Sequence, residues 1–412
     1  MIKRNLENRI LTALQDSPAI FINGARQTGK STLVKAITET AYPASYATFD
    51  DINILSGAKS DPKGFIKNIS LPVALDEVQR VPELFLPIKA EIDRSRKPGR
   101  FILTGSANVL LLPHIADSLA GRMEILTLYT LSQGELEGVK ENFIDVLMSD
   151  NPIPSRLTPL DRTALIGKIV KGGYPEIFTR ETAERRNTWF GSYVTTILQR
   201  DVRDLARIEG LTVLPRLLSL LAVRSTSLLN IAELSSSAAI PQTSLRRYLT
   251  LLETTFLIKF IPAWSSNLGK RMTKTPKVIL CDTGLLAHLI GIDTNRMENG
   301  NNSVGSLLEN FVAMELIKQT TWSSTQPQLY HFRTTRGQEV DIVLENRKGK
   351  LVGIEVKASS TVTVSDFKNL KMFSEIAGKK FHRGIVLYTG SETVPFGDRF
   401  FAVPVHALWK IH

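Results

Sequence analysis

The first 150 residues alternate short apolar runs with amphipathic stretches. The apolar runs predict strands at 19–23, 46–49, 71–75, 101–104 and 125–129. Strands that are apolar throughout are typical of a parallel sheet covered on both faces. The helical stretches between them indicate β-α-β crossovers. We therefore predict an α/β module over residues 1–150, built on a parallel sheet.

The loop after the first predicted strand reads Gly-Ala-Arg-Gln-Thr-Gly-Lys-Ser and matches the phosphate-binding pattern G-x-x-x-x-G-K-[ST]. Its glycines allow successive backbone N–H groups to surround a phosphate. Lys30 adds positive charge at the β- and γ-phosphates, and the Ser31 hydroxyl can ligate Mg²⁺. A helical pattern over 31–38 supplies the expected context. The predicted ATP-binding residues are Gly24, Ala25, Arg26, Gln27, Thr28, Gly29, Lys30, Ser31 and Thr32.

Two acids end the third predicted strand. Asp76 is suited to hold Mg²⁺ through water, and Glu77 to orient or deprotonate the attacking water, which predicts hydrolysis of ATP rather than binding alone. After the fourth strand, the polar side chains of Thr104, Ser106 and Asn108 should emerge beside the γ-phosphate. One of these three is expected to sense the nucleotide, with Ser106 as our candidate contact. The alternative is a strand end that caps the next helix.

This module resembles the AAA+ ATPases. The resemblance implies that Arg122, in Ser-Leu-Ala-Gly-Arg before the fifth strand, is an arginine finger, and that the protein is a homo-oligomer. Two alternatives stay open for Arg122: a cation favoured by the helix dipole and an arginine that serves its own subunit. The mostly helical stretch 151–215 fits the small helical lid that follows the core in that family.

Residues 216–280 predict a winged helix-turn-helix. A short helix over 231–238 is followed by a second that opens at Pro241 and runs to 256. One apolar stripe of the second helix consists of Leu245, Tyr248, Leu249, Leu252 and Phe256. The residues left outward, on a face suited to DNA recognition, are Gln242, Thr243, Arg246, Arg247 and Thr250. A hairpin wing follows, with Lys270, Arg271 and Lys274 near its tip. The alternative for this module is contact with a protein.

Residues 281–412 contain a second set of chemical groups. Asp341 lies in a strand pattern over 338–344, and Glu355 and Lys357 lie in a paired strand over 351–357. This D…ExK arrangement is the signature of restriction-endonuclease-like folds. Alternation places Glu355 and Lys357 on one face, so that the acids can hold Mg²⁺ while Lys357 activates or positions water. Glu309, on an upstream helix, can complete the acidic cluster. The alternatives are a hairpin with surface charges and a catalytically silent nuclease-like domain.

Charge and composition narrow the choice of partner and compartment. The chain has 412 residues and a net charge of +11, divided as −1 over residues 1–150 and +6 over each of 151–269 and 270–412. Excess Lys and Arg attract polyanions, so we expect the later modules to bind DNA, with branched and single-stranded forms among the candidates. A solvated basic surface or affinity for anionic lipid is the alternative. A single cysteine and no apolar stretch near ~18 residues predict a cytoplasmic protein without a membrane span.

Across nearly the whole chain, the order of modules resembles a prokaryotic family of AAA+-type ATPases fused to a C-terminal restriction-endonuclease-like domain. The resemblance implies Lys30, Ser31, Asp76 and Glu77 at ATP, and Glu309, Asp341, Glu355 and Lys357 at a second metal site. One departure is that Val340, rather than proline, precedes Asp341, so the nuclease fold is better supported than its activity.

The expected mechanism is an ATP-driven cycle that loads, remodels or positions DNA for cleavage at the C-terminal site. Two rivals remain. One is a regulatory or signalling ATPase whose nuclease-like domain binds DNA or a protein without cleaving. The other is an ATPase that works on a protein partner through the winged helix.

Overall fold

A computed structural model of the protein describes residues 2–107, 121–202, 211–298 and 304–412. The chain forms two compact units. The first comprises Met1–Thr130 with Thr250–Leu257, and the second comprises Leu131–Leu249 with Ile258–His412. The first unit thus ends before the predicted boundary at residue 150. No helix in the described part of the chain is long and apolar enough to cross a membrane.

The first unit is built on a five-stranded parallel sheet with the strand order β2-β3-β4-β1-β5. Its strands are β1 (Ala19–Asn23), β2 (Ser45–Thr48), β3 (Val73–Asp76), β4 (Phe101–Gly105) and β5 (Met123–Thr127). Its helices are α1 (Glu7–Ala13), α2 (Lys30–Glu39), α3 (Ile52–Ser60), α4 (Pro62–Asn68) and α5 (Phe85–Arg94). The parallel sheet and all five predicted strands are confirmed, with no strand end shifted by more than two residues.

Both faces of this sheet are covered, which explains why its central strands β1, β3 and β4 are buried throughout. Ala19 and Phe21 of β1 face one core, which also contains Phe85 and Ile88 of α5. Ile20 and Ile22 face the other core, formed with helices α1 and α2. The parallel register brings the carboxyl ends of β1, β3 and β4 to one edge of the sheet. The loops that follow these strands therefore lie close together, as is usual for ligand sites in parallel sheets.

The second unit begins with a largely helical part. Its helices are α6 (Gln133–Glu137), α7 (Phe143–Met148), α8 (Arg162–Lys171), α9 (Ala183–Thr196), α10 (Leu214–Val223), α11 (Ile231–Ala238), α12 (Gln242–Thr254), α13 (Leu268–Thr273), α14 (Thr283–Leu289) and α15 (Thr294–Glu298). Helix α9 continues as a π-helical turn over Ile197–Asp201. Residues of α12 from Thr250 onward are grouped with the first unit.

The predicted lid shares its packing with residues far along the chain. Helices α8 and α9 contact α14, and α8 also contacts α15. Asp282, at the N-terminus of α14, accepts hydrogen bonds from the backbone N–H groups of Leu285 (3.1 Å) and Gly173 (2.8 Å). The structure therefore groups the predicted lid, 151–215, with residues 282–298, which the predicted boundary at 280 placed in the next domain.

The region predicted as a winged helix contains the expected two helices and hairpin, with one difference. Helices α11 and α12 precede the antiparallel strands β6 (Ile258–Ile261) and β7 (Lys277–Leu280). The five predicted stripe residues of α12 and its end are buried, and the five predicted outward residues are exposed. The tip of the hairpin is not a simple turn, because it contains helix α13, whose Lys270 N–H is capped by the Asn267 side chain.

The rest of the second unit is a six-stranded mixed sheet with the order β12-β13-β11-β10-β9-β8. Its strands are β8 (Gln328–Arg333), β9 (Glu339–Glu345), β10 (Leu351–Lys357), β11 (Phe381–Tyr388), β12 (Val394–Pro395) and β13 (Phe400–Pro404). Its helices are α16 (Val304–Thr320), α17 (Lys368–Ala377) and α18 (Ala407–Lys410). Strands β9 and β10 form the predicted antiparallel pair, and β10 is parallel to β11.

Candidate functional site

The phosphate-binding loop connects β1 to α2, and its two glycines adopt conformations that other residues avoid. Gly24 has a φ of 150°, and a Cβ there would lie 2.1 Å from the backbone oxygen of Leu128. Gly29, immediately before α2, has a left-handed φ of 90°. A side chain at either position would be strained. The loop therefore forms a backbone cradle of the kind that the motif predicts for phosphates.

Lys30 already lies against this loop. Its ammonium donates hydrogen bonds to the backbone oxygens of Gly24 (2.9 Å) and Ala25 (2.8 Å). The Thr28 hydroxyl donates to the same Ala25 oxygen at 3.0 Å. These contacts place the charge of Lys30 beside the backbone cradle, where the motif requires it.

Arg4 supports the loop and was missed by the sequence analysis. Its guanidinium donates to the backbone oxygens of Thr28 and Tyr129, each at 2.7 Å, and the residue is buried. It thus ties the phosphate-binding loop to the segment after β5. Nothing in the sequence distinguishes Arg4 from the neighbouring Lys3, because the contact depends on the chain before α1 crossing the sheet edge.

Asp76, at the end of β3, is buried and held by neutral hydroxyl groups. Its carboxylate accepts hydrogen bonds from Tyr46 (2.7 Å) and from Thr104. Burial, and then the hydrogen bond to Asp76, raise the pKa of Tyr46 well above its ordinary value. The Tyr46 hydroxyl therefore orients Asp76, one of the two predicted magnesium ligands of this site.

Glu77 follows in a left-handed conformation, with a φ of 58°. Such backbone strain in a non-glycine residue is concentrated at functional sites. Its backbone N–H donates to the Thr104 hydroxyl at 3.1 Å, and its carboxylate accepts a hydrogen bond from the Gln79 amide. The same amide donates to the Ser106 hydroxyl at 2.9 Å. Gln79, which the sequence analysis did not single out, therefore links Glu77 to the end of β4.

This network distinguishes the three sensor candidates. Thr104 contacts both acids directly, whereas Ser106 reaches Glu77 through Gln79. Asn108 lies outside the described residues. Contact between Ser106 and the nucleotide stays a prediction.

Arg122 lies at the edge of the sheet opposite the phosphate-binding loop. It precedes β5, whose first residue pairs with Ala19, the first residue of β1, while the loop follows the last residue of β1. Four strand steps of about 3.3 Å separate the two edges by roughly 13 Å. The guanidinium of Arg122 makes two hydrogen bonds to Asp93 of α5, at 2.7 and 3.1 Å. This placement does not fit a role for Arg122 at the nucleotide of its own subunit. Its role as an arginine finger at the nucleotide of another copy stays a prediction.

Comparison with known families assigns the first unit. The family model described as "AAA domain" matches residues 16–137. Two models described as domains of unknown function match residues 162–296 (DUF8612) and 304–408 (DUF4143). An uncharacterized protein of Mycobacterium tuberculosis is 31% identical over 404 residues, which is 98% of this chain and 83% of the relative. An uncharacterized protein of Mycobacterium bovis matches to the same extent.

The chain belongs to the same family as these mycobacterial proteins, and its AAA domain makes it a P-loop ATPase. Among solved structures, the ATPase is similar to a Walker-type ATPase of Pyrococcus abyssi, with 17% identity, a TM-score of 0.42, and coverage of 70% of this chain and 96% of that chain. It is also similar to a signal transduction ATPase with numerous domains and a tetratricopeptide repeat sensor from Pyrococcus horikoshii. That match has 12% identity, a TM-score of 0.27, and coverage of 78% and 47%.

The C-terminal sheet of the ATPase brings Asp341, Glu355 and Lys357 together. Asp341 accepts a hydrogen bond from the Val356 N–H at 2.9 Å, and its charge acts on the buried Glu355. The ammonium of Lys357 lies 3.7 Å from Glu355 Oε2. Burial, and then the charge of Asp341, raise the pKa of Glu355 above its ordinary value, against the effect of Lys357.

A lysine from the preceding hairpin lies among these acids. Lys277, the first residue of β7, is 2% exposed, and its ammonium lies 2.8 Å from Glu309, 2.5 Å from Glu339 and 3.7 Å from Asp341. Burial opposes its charge, but the three carboxylates together raise the pKa of Lys277 above its ordinary value. Burial, and then Asp341, raise the pKa of Glu309 to about 7 despite Lys277.

This arrangement differs from the predicted second metal site of Glu309, Asp341 and Glu355. The described residues contain no group of three or more acidic, histidine or cysteine side chains placed to hold a metal ion. Glu309 and Asp341 are instead bridged by Lys277. With Lys277 in this position, Glu309 and Asp341 do not fit Mg²⁺, because an ammonium already supplies positive charge between them, whereas Glu355 keeps a buried oxygen without a hydrogen-bond partner among the described residues. Sequence analysis missed Lys277 because it lay in a separate predicted domain.

The predicted basic tip of the wing is also different. Arg271 lies in the predicted tip, but it pairs with Glu345 at 2.5 Å and lies over the rings of Trp264 and Tyr330. Lys270 and Lys274 are exposed.

Proposed function

We propose that this ATPase hydrolyses ATP at the edge of the first sheet and uses the nucleotide state to control binding of DNA by its second unit. The observation that carries the first part is the hydrogen-bond network joining Asp76 and Glu77 to Thr104, Gln79 and Ser106. Neutral donors hold both acids and leave their negative charge available. The Asp76 carboxylate and the Ser31 hydroxyl are oxygen ligands of the kind that fits Mg²⁺, which would supply charge neutralisation at the phosphates when bound.

The reaction at this site is attack of water on the γ-phosphorus of ATP. The new bond forms from the water oxygen, the bond to the ADP oxygen breaks, and ADP leaves. Glu77 accepts the proton of the attacking water, while Lys30 neutralises charge on the phosphates. The Gln79 amide, which holds Glu77 and Ser106 together, is placed to transmit the presence of the γ-phosphate to β4.

The experiment for this part is a comparison of ATP binding and turnover in Ser106→Ala and Gln79→Ala proteins. Loss of the network should leave ATP affinity close to the wild-type value and lower the turnover, because Glu77 loses its orientation. Unchanged turnover in both variants would show that the network has no part in hydrolysis.

Binding of DNA is supported by two exposed basic segments of the second unit. On α12, Arg246 and Arg247 lie on the exposed face that also carries Gln242 and Thr243. On α13 and directly after it, Lys270 and Lys274 alternate with two apolar side chains of unusually high exposure, Leu268 (71%) and Met272 (88%). Cations bind backbone phosphates, and exposed Leu or Met side chains can wedge between bases.

The experiment for DNA binding is fluorescence anisotropy with linear, single-stranded and branched DNA over a range of salt. Arg246→Ala with Arg247→Ala should weaken binding and reduce its salt dependence by about two counterions. The matched control is Lys63→Ala with Lys67→Ala, which removes two exposed cations from α4 of the first unit. Equal loss in both double variants would indicate general electrostatic attraction. No binding of any DNA form would favour a protein partner instead.

A second candidate function is metal-dependent cleavage of DNA at Asp341, Glu355 and Lys357. The observation that favours it is Glu355 Oε1, a buried acceptor without a hydrogen-bond partner among the described residues. Such an atom is rare in folded proteins and favours a site that accepts a donor or a cation. The assay is cleavage of the same DNA forms with Mg²⁺ or Mn²⁺, with and without ATP. If the protein binds DNA and hydrolyses ATP but never cleaves, the regulatory alternative replaces this candidate.

A further inference from the structure

We propose that Lys277 and a divalent cation compete for the same carboxylates, so that Lys277 keeps the C-terminal site closed to metal. The acidic cluster is defined as Glu309, Glu339, Asp341 and Glu355. The consequence of this competition for DNA cleavage rests on the second candidate function, because a site closed to metal cannot cleave DNA by the metal-dependent route. The competition itself depends only on the contacts described below.

The position of Lys277 matches that of a bound cation. Its ammonium has three N–H donors, and three carboxylates of the cluster lie within 4 Å of it. Glu309 comes from helix α16 and Asp341 from strand β9, whereas Lys277 comes from the separate two-stranded hairpin. One side chain therefore bridges elements that the sequence keeps far apart, as a metal ion would.

The cluster also has more acceptors than Lys277 can satisfy. Both oxygens of Asp341 have partners, since one lies near Lys277 and the other accepts from Val356. Glu355 Oε1 is buried without a hydrogen-bond partner in the described part of the chain, and its residue is 4% exposed. A buried carboxylate oxygen without a donor points to a cation that this arrangement does not supply.

The backbone of β7 is held independently of the lysine side chain. The Asn310 side chain accepts from the Leu280 N–H (2.9 Å) and donates to the Leu280 oxygen (3.0 Å). On the other side, the Thr226 N–H donates to the Val278 oxygen at 2.7 Å. These contacts hold the strand through its backbone, so replacement of the Lys277 side chain should leave the strand in place.

The test is Mn²⁺ binding without nucleotide, measured on the full chain by the EPR signal of free Mn²⁺. Lys277→Met keeps the length of the side chain and removes its charge, so Mn²⁺ should bind at least ~10-fold more tightly than to the wild-type protein. The matched control is Lys274→Met, which removes an exposed cation three residues away and should leave Mn²⁺ affinity unchanged. Adding Glu355→Gln to Lys277→Met should abolish the gain.

Removal of a buried cation can also prevent folding, so a charge-balanced variant is included. Lys277→Met with Glu309→Gln removes one positive and one negative group, leaves Asp341 and Glu355 in place, and should still bind Mn²⁺ more tightly than the wild-type protein. Unchanged Mn²⁺ affinity in every folded Lys277 variant would overturn the proposal. Tighter Mn²⁺ binding without any DNA cleavage would support the competition and reject the nuclease candidate. Cleavage of DNA by the wild-type protein, together with unchanged Mn²⁺ affinity in the Lys277 variants, would support the nuclease candidate and reject the competition.

Discussion

The two units of this ATPase each hold carboxylates close to a sheet, but they balance the negative charge in different ways. In the first unit, Asp76 is held by the hydroxyls of Tyr46 and Thr104. In the second, Glu309 and Asp341 lie against the ammonium of Lys277. Hydroxyls orient a carboxylate and leave its charge in place, whereas an ammonium cancels it. Carboxylates close to a sheet therefore do not by themselves define a metal site, because the groups around them decide whether a cation is still needed.

The largest expected effect concerns Glu77. Glu77→Gln should bind ATP but hydrolyse it at least ~100-fold more slowly, because the amide cannot accept the proton of water. Lys30→Ala should instead lose affinity for ATP, since the phosphates lose their compensating charge. Binding is measured with a fluorescent ATP analogue and turnover by phosphate release.

The control for this prediction is Glu83→Gln, which neutralises an exposed acid of the same unit. It should hydrolyse ATP at the wild-type rate. Full hydrolysis of ATP by the Glu77→Gln protein would assign the role of general base to another residue. The difference between the acids of the two units would then have no demonstrated role in hydrolysis.

Glu141, a buried acid of the second unit, has a neutral hydrogen-bond donor but also lies near another acid. Glu141 accepts a hydrogen bond from the Gly134 N–H at 2.8 Å, and burial followed by the charge of Glu315 raises its pKa to about 7. A folded-state pKa above the unfolded value near 4.5 means that the contribution of Glu141 to stability is fully present below that value. It is lost as the pH rises through about 7.

Glu141→Gln should therefore make the fall in stability between pH 5 and 7 less steep, by up to about 1.4 kcal/mol per pH unit. Urea midpoints measured across this range check the slope. If the wild-type and Glu141→Gln proteins show the same dependence of stability on pH, the pKa of Glu141 lies near its ordinary value. Burial beside neutral donors would then not destabilise the charged form of an acid in this unit.

Arg4 gives a smaller effect at the ATP site. Arg4→Met should weaken ATP binding about 3- to 10-fold, because two backbone oxygens lose charge-assisted hydrogen bonds worth about 1 kcal/mol or more. The neighbouring Lys3→Met is the control and should bind ATP normally. Calorimetric titration with ATP measures both. Equal affinity of the Arg4 variant and the wild-type protein would show that the loop keeps its shape without this contact.

The smallest expected signal concerns assembly. If Arg122 acts at the nucleotide of another copy, Arg122→Ala protein mixed with Glu77→Gln protein should recover part of the ATPase activity, because one interface then carries both wild-type groups. Each protein alone is the baseline. A fully active wild-type protein that remains monomeric with ATP, by light scattering, would leave Arg122 with a role inside its own chain, such as the pairing with Asp93.

The sequence allowed the first unit to be predicted in detail but not the surroundings of its acids. Continuous apolar runs and one motif locate the strands and the loop of Gly24 to Ser31, because these features are local. Arg4, Tyr46 and Gln79 carry no such signal, since their contacts come from strand order and from chain segments that meet only after folding.

The C-terminal site was harder to predict for the same reason. Pairing of β9 with β10 follows from alternation and a turn, and it brings Asp341 and Glu355 together as expected. Lys277 precedes that pair by more than sixty positions and belongs to another sheet. No periodicity or spacing connects it to Glu309, so the sequence predicted metal ligands where the structure has an ion pair.

The most direct test of this difference is the number of Mn²⁺ ions that the wild-type protein binds with and without a non-hydrolysable ATP analogue. We predict that Mn²⁺ binds tightly only when the analogue is present, and that Asp76→Asn loses this Mn²⁺ binding. Tight Mn²⁺ binding without nucleotide, removed by Glu355→Gln and not by Asp76→Asn, would contradict this prediction, because the acidic cluster would then hold metal despite Lys277.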